Sequence, residues 1–373
     1  MKYWRGYLVA GILLAISGAL TAFAKAHTAL VDMIYPYMTR IVVTSLADWS
    51  GGVSTCLWQV LLLFLIILGI LTLILTVILR WNPVQVIGWI LACVCGISML
   101  NNVLYGLNDY TGPFAEDIRL EVTDLTVSEL NEATAYFRDQ ANALAVRVER
   151  NADGSVNFAD FDKLSKQAKE GFKVLTYDQA ISIFAGSTAP VKKLNWSGIY
   201  TASGVASMTV PLTGEACVNP DVPDIAMPYI MCQEMSRRMI IAGQEDSRFA
   251  AFLACTANSS LEFQYSAYCI AYFYCYSALE AIPTSTAQAC AKQTASGLNE
   301  LVQNDLADYE DFFGEYTVDK KEKDKSTAAE LLASWYVQKF ITPLHKEEVK
   351  PFDPYDPNQV DLSGIANAPE GSK

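Results

Sequence analysis

Residues 57–79 read LWQVLLLFLIILGILTLILTVIL, a stretch without a single charged side chain. A helix of about 20 apolar residues crosses the hydrocarbon core of a bilayer, so this stretch predicts a membrane span. The turn Arg80–Pro83 is too short to be a domain, and a second apolar segment follows it at about 84–106. Residues 7–23 are also uncharged and apolar. We therefore predict a membrane region over residues 1–108, with spans at about 7–23, 57–79 and 84–106.

The first of these segments has two interpretations. Lys2 and Arg5 form a basic start, and Ala22-Phe23-Ala24 fits a small-x-small cleavage site, so a signal peptide cleaved after Ala24 is one of them. A retained membrane helix is the other. The segment that follows, 27–46, carries apolar residues at helical spacing. This pattern predicts either a helix along the outer membrane interface or a loop packed on the spans.

Charge divides the chain into two unequal parts. Residues 1–108 contain five Lys and Arg against two Asp and Glu, which leaves 22 against 38 in residues 109–373. The net charge of −13 argues against nucleic acid as a partner, because a phosphate backbone repels an acidic surface. Positively charged residues favour the cytoplasmic side, and they lie before the first span and in the turn at Arg80. We therefore expect a multi-pass protein of the cytoplasmic membrane, with the body after Asp109 extracytoplasmic.

Residues 109–345 are predicted to form a mainly helical body. The exception is 194–223, where Gly, Ser, Thr and β-branched residues indicate short strands or an ordered loop. The tail 346–373 is Pro-rich and is predicted to be extended or disordered. The fold class is thus mainly α (α+β), with three N-terminal transmembrane helices before the body. Helices are expected at 118–150, 162–172, 177–184, 227–242, 245–257, 261–281, 285–312 and 328–340.

Six of the nine cysteines belong to the predicted body, and an oxidising compartment would permit disulfides between them. The other three, Cys56, Cys93 and Cys95, lie in or beside the spans. Six cysteines allow 15 pairings, so the connectivity stays open. The preferred pairs are Cys232 with Cys255 and Cys275 with Cys290, because each pair lies on neighbouring predicted segments.

The helix predicted at 227–242 contains the segment QEMSR at 233–237. In zinc peptidases the two histidines of H-E-x-x-H stand four residues apart on one helix face and bind the metal, while the Glu activates the bound water. In this chain Gln233 and Arg237 hold the histidine positions, and Glu234 holds that of the general base. Glu245 or Asp246 would match the acidic third ligand.

Several motifs follow one another along the chain in a fixed order. They are NDY at 108–110, SGIY at 197–200, TGEACVN at 213–219, CQEM at 232–235 and FLAC at 252–255, together with the two Leu-rich spans. This ordered set resembles the bacterial domain-of-unknown-function 3810 family. The resemblance covers most of residues 1–345 and implies membrane helices followed by an extracytoplasmic, zincin-like domain, zinc as a cofactor and a peptide substrate. The chain departs from this family at both histidine positions.

This departure argues against a zinc site. His27 and His345 are the two histidines of the sequence, and neither lies on the predicted helix. Glutamine is a poor zinc ligand, and a guanidinium offers no lone pair. A metal held by Cys232, Glu234 and Glu245 is disfavoured, because residues two apart on a helix point in different directions. No cofactor is therefore expected.

We hypothesise instead that Arg237 replaces the metal electrostatically. Its guanidinium would pair with Glu234 three residues earlier and with Glu245 or Asp246 across the turn. The alternative is that all four are ordinary surface charges. Glu234 as the base of a remnant catalyst also stays open, because a neighbouring cation favours its charged form.

One further motif resembles a calcium loop. Residues Glu149–Asp160 have acidic or amide side chains at positions 1, 3 and 5, Gly154 at position 6 and a carboxylate at 12. The first position holds Glu where Asp is required, and the last holds Asp where Glu is usual. A turn built on Asp153 and Gly154 is the favoured interpretation.

These observations predict a membrane-anchored pseudo-metallopeptidase with a non-catalytic role. It would bind a peptide or protein partner in the vestigial cleft, or scaffold a membrane complex, with the lipid bilayer as its other partner. The first alternative is an active membrane-bound peptidase with a non-standard site. The second is an accessory subunit whose membrane helices matter more than its body.

Overall fold

The computed structural model describes residues 2–177, 179, 181–186, 188–314 and 321–343, and the chain is mainly helical with few strands. Three of its first helices are long and apolar enough to cross a membrane, which confirms the predicted spans. Pro83 occupies the first turn of the last span, and the Asn82 side chain accepts hydrogen bonds from two backbone N–H groups there. The first four helices are α1 (Arg5–Ala26), α2 (Thr28–Gly51), α3 (Leu57–Ile78) and α4 (Pro83–Leu104).

Helices α1 and α4 pack closely against each other. A Cβ at Gly6 would lie 2.3 Å from the backbone carbon of Gly88, so small residues permit the approach. Further along, Asn102 Nδ2 donates to Ser17 Oγ at 3.0 Å and to Thr21 Oγ1 at 3.1 Å. Helix α1 therefore makes specific contacts across the membrane region.

Helix α2 is continuous over residues 28–51, although it contains Pro36. One face packs on the body: Arg40 Nε donates to the carbonyl of Met239 at 3.0 Å, and a Cβ at Gly214 would lie 2.3 Å from the backbone nitrogen of Ala47. The predicted segment 27–46 is thus a helix and not a loop. The opposite face exposes an apolar stripe at helical spacing, formed by Leu30, Ile34, Tyr37, Met38, Ile41, Val42 and Trp49.

The described residues of the body form ten helices. They are α5 (Phe114–Asp117), α6 (Val127–Ala145), α7 (Phe161–Tyr177), α8 (Ser197–Ala202), α9 (Met227–Arg238), α10 (Gln244–Ala257), α11 (Leu261–Ala281), α12 (Ser285–Ser296), α13 (Glu300–Gly314) and α14 (Lys321–Tyr336). All of them except α8 contribute to one continuous apolar core. Helices α5 and α8 were not predicted, and the other eight overlap with predicted helices.

Several predicted helices differ from the structure. The helix expected at 227–242 ends at Arg238, and the described residues of the segment 177–184 hold the end of α7 and a 3₁₀ turn at Ser182–Phe184 in place of the expected helix. The helix expected at 118–150 begins at Val127, because Thr126 and Glu129 form a capping box that starts α6. The helix expected at 285–312 is divided near Gly297, and the Asn299 side chain accepts from Leu301 N at 2.9 Å to start α13. His345 and the predicted tail 346–373 lie outside the described residues.

Two strands of a three-stranded sheet lie within the segment 194–223, which was predicted to hold short strands or an ordered loop, and the third strand lies just before it. The sheet consists of β1 (Lys192–Lys193), β2 (Ser207–Val210) and β3 (Glu215–Val218), in the order β1-β3-β2. Strand β1 is parallel to β3, and β2 is antiparallel to it. Strand β3 is therefore the central strand of the sheet, and all four of its residues are buried.

The start of α3 is joined to this sheet by buried polar contacts, which we call the junction. Glu215 on β3 accepts from the backbone N–H groups of Leu57 at 2.7 Å and Trp58 at 2.8 Å, so its carboxylate caps the first turn of a membrane span. Lys192 on β1 lies 2.6 Å from the Glu215 carboxylate. Gln59 and Asn195 exchange hydrogen bonds in both directions, at 3.1 and 2.8 Å.

Candidate functional site

Helix α9 carries the QEMSR segment. Its first turn contains Pro228, which tolerates the missing backbone N–H there, and the helix ends at Arg238. It packs against α10, α11, β2 and β3 and is buried over most of its length. Gln233 and Arg237 are one turn apart, so they share a face of the helix.

Glu234 is fully buried and is held by strand β2. Ser207 Oγ donates to Glu234 Oε1 at 2.8 Å, and Thr209 Oγ1 donates to Oε2 at 2.7 Å. Both carboxylate oxygens therefore have a hydroxyl partner. The side chain has no exposed surface from which to reach a substrate, which a general base requires.

Arg237 is directed toward this carboxylate. Its Nη1 lies 3.5 Å from Glu234 Oε1, and its Nε donates to Ser247 Oγ at 3.3 Å. About a fifth of the side chain is exposed. The partner across the turn, on α10, is therefore a hydroxyl in the part of the chain that the structure describes, and not the expected carboxylate.

The remaining vestigial positions lie in other surroundings. Gln233 is half-buried on α9. Glu245 lies 3.1 Å from Arg248, one turn further along α10. Asp246 accepts a hydrogen bond from the backbone of Phe114, and burial raises the pKa of its carboxyl above the ordinary value. The structure thus brings Glu234 and Arg237 together and holds Glu245 and Asp246 elsewhere.

Ser207 and Thr209 are functional-site residues that sequence reasoning missed. Alternate residues of a strand point to the same face, so the two hydroxyls converge on one carboxylate. The local signal was a Ser-x-Thr pattern in a predicted strand. That pattern does not identify an acidic partner 25 or more residues away.

These residues do not fit a zinc ion. The positions of the two histidines hold an amide and a cation, and the oxygens of Glu234 are engaged by hydroxyl groups. Among the described residues, no group of three or more His, Cys, Asp and Glu is arranged to hold a metal ion. The arrangement suits a buried carboxylate that is neutralised and fixed in place.

All nine cysteines lie in the described part of the chain, and the structure shows each of them in the thiol form. The preferred pairs, Cys232 with Cys255 and Cys275 with Cys290, stay predictions. Burial, and then the neighbouring Cys232 thiol, raise the pKa of the Cys255 thiol. Cys275 contacts the carbonyl of Ala329 on α14 at 4.0 Å, whereas Cys290 lies half-buried on α12.

The calcium-like segment forms a tight turn between α6 and α7. Asp153 Oδ1 accepts from Ser155 N at 3.0 Å and from its hydroxyl at 2.6 Å, and Gly154 adopts a φ of 89°. Asp160 accepts from the backbone N–H of Lys163 at 2.9 Å, in the first turn of α7. The two carboxylates therefore stabilise the turn and the helix start.

A polar cavity of about 690 Å³ lies between α2, the segment 108–117 and the turn before α10. Its charged lining consists of Asp32, Asp109, Asp117 and Asp246, with Arg40 as the cation. Burial and then the charge of Asp32 raise the pKa of Asp117. The cavity therefore favours a positively charged group.

Asn108 also lines this cavity. Its side chain is about 6% exposed, and neither its Nδ2 nor its Oδ1 has a hydrogen-bond partner among the described residues. A buried amide without partners costs free energy. A ligand with a donor and an acceptor would remove this cost.

The family model described as "Protein of unknown function (DUF3810)" matches residues 31–330. This range includes α2, two of the three membrane spans and the body as far as α14. No curated protein and no solved structure matches the chain.

Proposed function

Because the chain belongs to the DUF3810 family of proteins of unknown function, we propose its function from its own residues. It is a membrane-anchored, metallopeptidase-like protein with a non-catalytic binding or scaffolding role. Its body lies outside the cytoplasmic membrane, on the same side of the membrane as α2. Helix α1 is not cleaved and is retained as a membrane span. The specific contacts of Asn102 with Ser17 and Thr21 support retention.

The observation that carries this proposal is the state of Glu234. A catalytic base must reach a water or a substrate, and it works best when it is free to take a proton. Glu234 is buried, both its oxygens accept hydroxyl hydrogen bonds, and a guanidinium lies beside it. Its contribution is to tie α9 to β2 and not to activate water.

The zinc content of the purified full-length protein tests this proposal. Elemental mass spectrometry is expected to find no zinc above the level of a metal-free control protein. The double variant Gln233→His, Arg237→His restores two imidazoles one turn apart and is expected to retain more zinc than the parent. Close to one zinc per parent chain would overturn the proposal, whatever the variant shows.

The partner is proposed to bind at the polar cavity, whose lining includes Asp246, one of the vestigial positions. Four carboxylates against one guanidinium favour a basic side chain, and the amide of Asn108 offers a donor and an acceptor to a peptide group. A peptide or protein segment with lysine or arginine has this chemistry.

Titration of the full chain in nanodiscs with tri-lysine measures this binding. The double variant Asp117→Asn, Asp246→Asn is expected to bind roughly tenfold more weakly or worse, because it removes two carboxylates from the cavity. Asp139→Asn, at an exposed carboxylate on α6, is the matched control and should bind like the parent. Equal binding by all three proteins would refute this location.

A second candidate, an accessory subunit of a membrane complex, is favoured by the junction. A simple anchor needs no buried contacts with the domain it carries, yet Glu215 binds the backbone of α3 and Lys192 lies against it. Replacing residues 60–78 by an unrelated Leu-rich span, with 57–59 kept, separates the two roles. An accessory subunit is expected to leave its assembly, measured by light scattering in mild detergent, whereas an anchored binding protein keeps its size.

A further inference from the structure

Two thiols face each other inside the junction. Cys56 is the residue immediately before α3, and Cys217 is on the central strand β3. Their Sγ atoms are 3.3 Å apart, although 161 positions separate the residues in the chain. Both side chains are fully buried.

The surrounding contacts fix this approach. On one side, Glu215 holds the backbone N–H groups of Leu57 and Trp58, next to Cys56. On the other, Cys56 Sγ lies 3.2 Å from the carbonyl of Lys193 on β1, which is paired in parallel with β3. The two sulfur atoms are therefore held together by the fold itself. A disulfide bond of about 2.05 Å needs a further approach of roughly 1 Å.

We propose that Cys56 and Cys217 form a structural disulfide that ties the first turn of span α3 to the central strand of the body. This inference rests on the proposed position of the body outside the cytoplasm, because disulfides persist in oxidising compartments. It is independent of whether the site on α9 holds zinc.

The bond forms by thiol–disulfide exchange with a dithiol–disulfide oxidoreductase. One cysteine thiolate attacks the disulfide of the oxidant and forms a mixed disulfide, releasing one thiolate of the oxidant. The second cysteine thiolate attacks the protein sulfur of the mixed disulfide and releases the other. Two electrons pass to the oxidant, which becomes a dithiol, and the two protons of the protein thiols go with them.

Exchange must take place before the junction closes. The pKa of the Cys217 thiol is raised well above its ordinary value, by the hydrogen bond with Cys56 and by burial, so little thiolate exists in the folded state. No oxidant reaches a fully buried sulfur. The bond is therefore introduced during folding and stays as a permanent link, and it does not act as a switch.

The test is a disulfide map of the full-length protein made in a bacterial host. Cells are quenched with acid, and their protein is then denatured in the presence of N-ethylmaleimide, so that buried thiols are also alkylated. The protein is digested, and the peptides are measured by mass spectrometry. The expected product is a linked peptide of Cys56 and Cys217, two hydrogen masses lighter than the sum of its parts. Cys93 and Cys95 serve as internal controls and should carry the label.

One variant sharpens the map, since Cys217→Ser should leave Cys56 labelled. Parent protein made in cells grown with a reductant, so that the bond does not form during folding, should unfold roughly 10 °C below the parent made without it, and the variant should show no such difference. The label on both Cys56 and Cys217 in the parent would overturn the proposal, and so would a link from either to another cysteine.

Protease treatment of spheroplasts from the same cells reports the side of the body. A digested body with labelled cysteines would overturn the disulfide alone. A protected body with labelled cysteines would overturn the disulfide together with the proposed orientation.

Discussion

Glu215→Gln is expected to destabilise the whole protein, because Glu215 serves the body and the membrane region at once. Its carboxylate is about 1% exposed and accepts from four donors. Oε1 accepts from Leu57 N at 2.7 Å and Lys192 Nζ at 2.6 Å, and Oε2 accepts from Trp58 N at 2.8 Å and Thr213 Oγ1 at 2.8 Å. Glutamine keeps the shape but replaces one oxygen by an NH₂ group. This NH₂ group is itself a donor, and it would face the two donors that the replaced oxygen accepts from.

The size of the effect follows from the burial of the pair. The Lys192 and Glu215 side chains are 5% and 0% exposed, so the glutamine leaves an ammonium buried without its counter-charge. Removing one partner of such a pair costs about 3–5 kcal/mol. Each kilocalorie shifts the unfolding midpoint of a domain of this size by about 2–4 °C, so we expect a fall of roughly 10 °C.

Scanning fluorimetry of the full chain in nanodiscs, at one fixed heating rate, measures this midpoint. Glu170→Gln is the matched control, because Glu170 and Lys173 form a pair that is 45% and 41% exposed, and such a pair contributes about 0–1 kcal/mol. Lys192→Met combined with Glu215→Gln should recover part of the loss, since the unpaired charge is gone. If Glu215→Gln and Glu170→Gln unfold at the same temperature, the junction does not carry the stability assigned to it.

Three further predictions concern single substitutions, and two of them have a matched control position. Gly214→Ala should lower the unfolding midpoint far more than Gly154→Ala: both glycines have positive φ, but a Cβ at Gly214 would meet the backbone of α2 at 2.3 Å, whereas Gly154 has open space around it. Gly6→Ala should weaken the packing of α1 on α4 by about 1–3 kcal/mol, which unfolding in increasing SDS measures. Gly11→Ala should have no such effect, because a Cβ at Gly11 would have no atom within 4 Å. Asp246→Asn should stabilise the protein in a pH-dependent way. The pKa of the Asp246 carboxyl in the folded protein is raised above 3.8, so the parent loses stability as the pH rises from 3.8 through that pKa. The variant should therefore gain stability relative to the parent over this pH range and show no gain below it. An unfolding midpoint of the variant that follows the parent at every pH would contradict the assignment.

Local patterns predicted the elements of this fold well, and contacts across the chain were not predictable from them. The spans follow from hydrophobicity alone, because the hydropathy of a short run of consecutive residues is enough to identify them. The start of α6 was also readable, because Thr126 and Glu129 have the spacing of a capping box. Helical periodicity alone extended that helix too far toward the N-terminus.

The candidate site shows where local patterns end. The sequence identified Glu234 and Arg237, because their spacing on one helix is local. It did not identify Ser207 and Thr209, which lie on a strand and reach Glu234 only after α9 packs on the sheet. Cys56 was grouped with the membrane cysteines for the same reason, since its partner is 161 positions away.

The boundary predicted at Asp109 cuts through contacts that hold the body together. Without residues 1–108, Lys192 loses the carbonyls of Ser50 and Thr55, and Glu215 loses the two N–H groups of α3. Arg238 loses the nearby charge of Asp48, although burial already lowers the pKa of Arg238 to about 10.

Each of these buried groups would then lose some of its partners, and a buried polar group that is left unsatisfied costs about 1–3 kcal/mol or more. Several of them together equal a large part of the 5–15 kcal/mol that stabilises a typical domain. Helix α2 and the first turn of α3 therefore belong physically to the body, and metal content, partner binding and stability have to be measured on the full chain.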